Sequence, residues 1–181
     1  MSSHIDTLQE ILFDNKEKIP DGVYLQLQNE LKKQYETTSA SPNNFEWHEE
    51  TCSAAAKAGN LGVLQWAREN DCPWDEFTCS SAAEDGHLEV LKWARANGCE
   101  WDANTCECAA EGGHLRVLQW ARNNGCEWDA ETCFFAAKGG HLGVLKWARE
   151  NGCAWDGRVI RYAANGVIEK WARENGCPSS D

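Results

Sequence analysis

A period of 27 residues runs through most of this chain and limits what it can fold into. Tryptophan recurs at this spacing at five positions: Trp47, Trp74, Trp101, Trp128 and Trp155. The same spacing relates a cysteine (Cys72, Cys99, Cys126, Cys153) and a second tryptophan (Trp66, Trp93, Trp120, Trp147). A regular internal repeat of this length indicates a stack of small units, none of which can bury its apolar face alone.

Each copy carries the signals of two short helices joined by a turn. In the copy spanning 74–100, Asp75 is a suitable N-cap because its carboxylate accepts hydrogen bonds from the free amides of the first turn. Gly86 then ends the first helix, since glycine accepts a left-handed backbone. The second segment places Leu88 and Leu91 on one side at helical spacing. The sequence therefore predicts an all-α solenoid of stacked helix–turn–helix repeats.

Three regions are predicted along the chain. Residues 1–36 are expected to form a helical hairpin, residues 37–44 are a linker by composition, and residues 45–178 form the solenoid. The predicted repeats are 47–73, 74–100, 101–127, 128–154 and a shortened fifth copy, 155–178. The N-terminal hairpin is interpreted either as a cap over the exposed end of the first repeat or as a docking element for a second partner.

One segment of each copy resembles a known family. Residues 82–91 read Ala-Ala-Glu-Asp-Gly-His-Leu-Glu-Val-Leu, which is similar to the Ala-Ala-x-x-Gly-His-Leu-x-Val-Val core of ankyrin repeats, and the pattern recurs at 109–118 and 136–145. Ankyrin units have about 33 residues, so these copies lack the projecting β-hairpin finger. The Thr-Pro-Leu-His signature is also replaced, by residues 77–80. The chain thus resembles a short, finger-less ankyrin variant, which implies a protein-binding module that uses the concave surface of its first helices.

Charge and apolar patterning restrict the partners and the compartment. The chain carries 29 acidic and 17 basic residues, a formal net charge of −12, and no Lys/Arg-rich stretch. This charge opposes binding to nucleic acid or to an anionic membrane. No apolar run reaches the roughly 18–20 residues of a spanning helix, and the N-terminus shows no secretory signal pattern. We therefore expect a cytoplasmic or nuclear protein with reduced cysteines.

Residues that recur once per repeat are interpreted as architecture. The cysteines and histidines are expected to pack in the core and at the turns, because a zinc site would need four ligands converging on one point. Equivalent cysteines in adjacent repeats would lie about 10 Å apart, beyond disulfide reach. The recurring arginines are expected to contact the cap aspartates, the second-helix tryptophans to be core, and the connector tryptophans to cover the gap between helix pairs. We predict no enzyme activity, cofactor or metal.

Function is expected where the repeats differ from one another. The predicted protein-binding residues are Phe77, Ser81, Glu84, Asp85, Asn104, Glu111, Glu131, Phe135, Lys138, Arg158 and Tyr162. Phe135 and Tyr162 are expected to form an aromatic patch flanked by Lys138 and Arg158, a composition typical of interface hot spots. The acidic residues Glu84, Asp85 and Glu111 are expected to attract basic groups of the partner. Alternatively, Phe135 and Tyr162 simply cover the C-terminal core.

Two phenylalanines are adjacent in the fourth copy. Phe134 and Phe135 point about 100° apart on a helix, so we expect them to differ in burial.

The favoured function is an interaction module or scaffold, monomeric on its own, that binds another protein. The alternative is a structural spacer subunit of a large assembly, with contacts on several sides.

Overall fold

The computed structural model of the protein describes residues 49–69 and 71–179, and these form an all-α solenoid of stacked helix pairs. The predicted N-terminal hairpin (1–36), the linker (37–44) and Trp47 lie outside the described residues. Within the described ranges, the chain forms ten helices and no strand: α1 Glu49–Lys57, α2 Leu61–Glu69, α3 Glu76–Glu84, α4 Leu88–Ala96, α5 Ala103–Glu111, α6 Leu115–Asn123, α7 Ala130–Lys138, α8 Leu142–Glu150, α9 Arg158–Arg161 and α10 Gly166–Glu174.

The helices pair into five consecutive units, numbered 1 to 5 in chain order, each with a first and a second helix. The first helices of adjacent units pack closely against one another, whereas the second helices make far fewer contacts with their counterparts. Close approach is possible because the first helices meet through small side chains, such as Cys106, Ala109 and Ala110 of α5, which are fully buried. The first helices therefore form the inner, concave side of the stack. We call their solvent-facing residues the inner surface.

The helix starts follow two different patterns. Each connector aspartate caps the next first helix, as predicted: the Asp75 carboxylate accepts from the Phe77 amide at 3.1 Å, and Asp102 and Asp129 act in the same way. The histidines before the second helices make no such side-chain bond. Their imidazoles instead lie against the turn glycines of the preceding unit. A Cβ built on Gly86 would lie 2.4 Å from Nδ1 of His114. These histidines therefore have a packing role.

The buried thiols form a contact that the repeat pattern did not predict. Nine of the ten cysteines are buried, as expected for core residues, and none of the ten forms a disulfide within the described residues. In unit 1 the Cys52 thiol donates to the Cys72 sulfur at a separation of 3.2 Å. In unit 2 the Cys99 thiol in turn donates to the Asp75 carbonyl at 3.2 Å. Equivalent cysteines of adjacent units were expected to lie beyond disulfide reach, but this close pair joins different positions within one unit.

A ladder of tryptophan and arginine covers the connectors. In unit 2, Trp74 packs edge-on against Trp93 with ring centroids 5.8 Å apart, and the Arg68 guanidinium lies 4.3 Å from the Trp74 ring. The Arg68 Nη1 also donates to the Cys72 carbonyl. The same arrangement recurs around Trp101, Trp128 and Trp155. The predicted arginine–aspartate contacts are therefore wrong at these four arginines, because their guanidiniums contact aromatic faces and backbone carbonyls instead. The second-helix tryptophans are half-buried rather than core.

Unit 5 departs from the other four. Its first helix, α9, has only four residues, in keeping with the shortened fifth copy in the sequence. The chain after α9 remains attached to unit 4, since the Ala164 amide donates to the Ala137 carbonyl at 3.0 Å. Ile160 occupies the position that a cysteine has in units 1 to 4. Along 49–69 and 71–179, no helix is both long and apolar enough to cross a bilayer. The short α9 packs less extensively against α7 than α5 does.

Candidate functional site

All eleven predicted binding residues lie on the inner surface or just beyond the end of a first helix. None of them is buried: Phe77 is 57% exposed, Tyr162 is 50% exposed, and the others are half-buried or exposed. They come from α3, α5, α7 and α9, with Asp85 and Tyr162 each following directly after a helix. The fold brings only some of them together.

Three aromatic rings meet between units 4 and 5. The Phe134 and Phe135 ring centroids are 5.0 Å apart, and Phe134 packs edge-on against Tyr162 at 5.8 Å. We call Phe134, Phe135 and Tyr162 the aromatic cluster. Edge-to-face packing at these separations is the preferred geometry of aromatic pairs. The sequence prediction placed Phe135 against Tyr162, but the residue that contacts both of the other rings is Phe134.

Phe134 was missed because adjacent residues on a helix were expected to differ in burial. Both Phe134 and Phe135 are in fact half-buried. The helix that follows them in the stack, α9, is only four residues long and does not cover Phe134 completely. The available signal was the departure from the repeat, since Ser53 and Ser80 stand at the Phe134 position in units 1 and 2.

Each ring of the aromatic cluster lies beside a cation. Lys138 Nζ is 5.2 Å from the Phe135 ring centroid, and the Arg158 guanidinium is 5.2 Å from that of Phe134. Arg161 lies 5.5 Å from the Tyr162 ring. These separations are within cation–π range, in which the negative face of the ring attracts the charge. The surface is therefore amphipathic, with apolar rings and cationic groups at the same place.

Two of these cations are already paired with carboxylates. Arg158 Nη2 lies 2.5 Å from Glu131 and 2.8 Å from Asp156, and Lys138 Nζ lies 2.8 Å from Glu111. The hydrogen bonds to Asp156 and Glu131 raise the pKa of Arg158, and the bond from Arg158 lowers the pKa of Asp156. Arg161 makes no ion pair with a carboxylate of the described residues. Its guanidinium is therefore available to an acidic group from outside.

The predicted acidic attraction is weaker than the sequence indicates. Glu84 pairs with Lys57 of the preceding unit at 2.8 Å, and Glu111 pairs with Lys138 of the following unit. Ion pairs between exposed side chains are worth little stability, typically below about 1 kcal/mol. They do neutralise the two carboxylates, however. Of the three acidic residues expected to attract basic groups, only Asp85 has no ion pair with a described cation.

Glu107 is a carboxyl of the inner surface whose pKa is shifted by its surroundings. It is half-buried on α5, at the position that Phe134 occupies one unit further on. Burial raises the pKa of the Glu107 carboxyl, and the neighbouring carboxylates of Asp129, Glu131 and Asp102 raise it further. Its charged form is therefore disfavoured in the folded chain.

Replacing this residue, Glu107→Gln, is expected to raise the melting temperature at neutral pH. Because the pKa is higher in the folded chain, ionisation of Glu107 costs stability as the pH rises above the ordinary value of 4.5. Glutamine removes that cost. Below 4.5 both states hold the proton, so the gain should vanish. Thermal unfolding at several pH values measures this, with Glu111→Gln as the matched control on the same helix. A gain that persists at acid pH would contradict the assignment.

The remaining predicted residues do not join the aromatic cluster. Phe77 lies on α3, two units earlier in the stack, and Ser81 and Asn104 are half-buried on α3 and α5. Asn104 accepts a hydrogen bond from the Cys108 thiol at 3.6 Å. Glu131, Phe135, Lys138, Arg158 and Tyr162 are the members that the fold gathers at one place.

Other features of the described chain are less suited to be a site. An open groove of about 680 Å³ runs along the turns, lined by residues that recur in successive units, such as Gly86 with Gly113 and His87 with His114. Over the described ranges, no group of three or more His, Cys, Asp or Glu side chains is arranged to hold a metal ion. The aromatic cluster with its cations is the feature that breaks the repeat.

Part of the chain matches a known family. Residues 79–122, which cover most of units 2 and 3, match the family model described as ankyrin repeats (many copies). No curated protein matches the chain.

Proposed function

We propose that this chain, in which residues 79–122 match the ankyrin-repeat family model, is a non-catalytic interaction module that binds a partner protein through the inner surface of units 4 and 5. Ankyrin repeats generally mediate contacts between proteins and are typically not catalytic. The fold supplies a rigid stack, and the binding surface is formed by side chains that the stack itself does not need.

The observation that carries this proposal is the aromatic cluster. The equivalent positions in units 1 and 2 hold serine or alanine (Ser53, Ala54, Ser80, Ser81), so the architecture does not require aromatic rings there. Covering a large, half-exposed ring with a partner favours binding, because apolar surface is removed from water. Aromatic and arginine side chains at one place are also the usual composition of interface hot spots. Units 4 and 5 combine both features.

The charges around the cluster indicate the partner's chemistry. Arg161 makes no ion pair with a described carboxylate and lies beside the exposed Tyr162 ring, whereas Arg158 and Lys138 are held by carboxylates of the chain itself. A partner that inserts an apolar side chain between the rings and presents a carboxylate to Arg161 would use all of these groups. Charge-assisted hydrogen bonds of this kind are stronger than neutral ones.

The proposal is tested by giving unit 4 the residues of unit 2. The variant Phe134→Ser/Phe135→Ser restores the serines found at 80 and 81. Bound proteins are captured from the native source by the wild-type and variant chains and are quantified by mass spectrometry, and the recovered partner is then titrated directly. Because hot-spot residues contribute about 2 kcal/mol or more each, we expect its affinity to fall by at least about 30-fold.

The control variant is Val167→Ser, which removes an apolar side chain that is 65% exposed but lies on the second helix α10. It should leave partner binding unchanged. Circular dichroism establishes that each variant keeps its helices. Partners that bind the double variant as tightly as the wild type would contradict the proposal, and loss of binding in both variants would favour the spacer role with contacts on several sides.

A further inference from the structure

Two cysteine sulfurs lie close together inside unit 1, away from the inner surface. Cys52 lies on α1 and Cys72 follows α2, and their sulfurs are 3.2 Å apart. Both side chains are fully buried, and neither is in a disulfide. The separation is already short enough that a disulfide requires only a small movement of the two side chains. Nothing in the protein-binding role uses this pair.

The surroundings of the pair distinguish its two members. The hydrogen bond from Cys52 lowers the pKa of Cys72, and the nearby Arg68 guanidinium lowers it further, although burial acts in the opposite direction. The same hydrogen bond and burial raise the pKa of Cys52. Thiolates rather than thiols are the reacting species, so Cys72 is the nucleophile of the pair and Cys52 the thiol that completes the reaction.

The same two positions hold cysteines along the stack, in the pairs Cys79 and Cys99, Cys106 and Cys126, and Cys133 and Cys153. The second member of each of these pairs donates to a backbone carbonyl: Cys99 to Asp75, Cys126 to Asp102 and Cys153 to Asp129. Unit 5 has a single cysteine, Cys177, because Ile160 replaces its partner. The direct contact between two sulfurs is therefore a feature of unit 1.

We propose that Cys52 and Cys72 form a modification site that a peroxide oxidises to a disulfide. Peroxide is the fitting oxidant class because it is close to water in size, whereas both sulfurs are fully buried and present no exposed surface to a larger disulfide reagent.

The reaction proceeds in two steps. The Cys72 thiolate attacks one peroxide oxygen, the O–O bond breaks, hydroxide leaves, and Cys72 becomes a sulfenic acid. The Cys52 sulfur then attacks the Cys72 sulfur, the S–O bond breaks, and the sulfenic hydroxyl leaves as water with the Cys52 proton. Two electrons pass from the two sulfurs to the peroxide. The product ties the start of unit 1 to its end.

Cys108 supplies an internal comparison within the same chain. It is half-buried and therefore more accessible than Cys52 or Cys72. Burial and the carboxylates of Glu84, Glu107 and Glu111 raise the pKa of its thiol to about 11. If accessibility alone governed oxidation, Cys108 would react first. If the paired geometry governs oxidation, Cys52 and Cys72 react first.

The test exposes the folded, full-length chain to hydrogen peroxide, followed by alkylation of the remaining thiols and peptide mapping without reduction. We expect a peptide pair joined through Cys52 and Cys72, a loss of two hydrogen atoms from the intact mass for each disulfide formed, and full reversal by a dithiol reductant. These changes should precede any modification of Cys108 or Cys177.

Two variants separate the steps. Cys52→Ser should stop the reaction at the Cys72 sulfenic acid, which a sulfenic-acid trap labels, whereas Cys177→Ser should leave the Cys52–Cys72 link unaffected. Should the serine fail to fold at a buried site, the mapping of the unaltered chain decides alone. Modification of Cys108 while Cys52 and Cys72 stay reduced overturns the proposal. So does a set of links no different from that of the unfolded chain.

Discussion

Replacing Gly86 with alanine is expected to destabilise the solenoid by about 3 kcal/mol. Gly86 has a φ of +79°, a left-handed conformation that costs a residue with a side chain about 1–2 kcal/mol. The added Cβ would also lie 2.4 Å from the His114 imidazole, which packs over this turn from the next unit. The ring must move, and overpacking of this kind typically costs about 1–3 kcal/mol. Urea unfolding followed by circular dichroism measures the change.

Two other glycines separate the contributions. Gly98 has a φ of +85° and nothing within 4 Å of a built Cβ, so Gly98→Ala should show the backbone cost alone. Gly143 lies in α8 with ordinary backbone and open space around it, so Gly143→Ala should stabilise the chain by about 0.5–1 kcal/mol. An equal loss for Gly86→Ala and Gly98→Ala would show that the His114 contact does not hold the two units together.

Leu118→Ala is expected to cost about 3 kcal/mol, within the range of about 2–5 kcal/mol for this change in protein cores. Leu118 lies on α6 of the central unit and is fully buried in the single core that runs through the stack. Its removal leaves a cavity that the neighbouring units cannot fill without moving, because the first helices already pack closely through small side chains. The loss should appear in the urea midpoint of the whole chain.

The matched control lies on the same helix. Leu115 is half-buried at the start of α6, so Leu115→Ala removes the same atoms from a partly hydrated position. We expect its cost to be less than half of that of Leu118→Ala, because both the transfer and the cavity contributions are smaller. Similar costs for the two substitutions would contradict a continuous core passing through unit 3.

The sequence alone was sufficient for the fold because its signals are local and repeated. The capping aspartates, the turn glycines and the apolar spacing each act within a few residues, and each occurs in several copies that agree with one another. The shortened fifth unit was visible as missing residues between Ala164 and Trp171. What these signals predict is confirmed in α3 to α8, where Asp75, Asp102 and Asp129 cap their helices.

The contacts that sequence reasoning missed join different positions of the repeat. Comparing copies places like residues in columns, so it shows Cys52 above Cys79 but not Cys52 against Cys72. The arginines were assigned to aspartates by charge, yet the superhelical geometry puts Arg68 over the Trp74 ring. Phe134 was not among the predicted binding residues, because adjacent residues on a helix were expected to differ in burial. That expectation does not account for the short α9 beside Phe134. Each of these errors concerns how far apart two elements lie, which a repeat pattern does not specify.

We propose that partners contact the inner surface at units 4 and 5. A photo-reactive phenylalanine analogue placed at Tyr162 tests it most directly, with the same analogue at Val167, which is also exposed but lies on a second helix, as the reference. After irradiation with the captured partner, we expect a cross-linked product from position 162 and none from position 167. Cross-linking at position 167 alone, or equally at both positions, would contradict the claim.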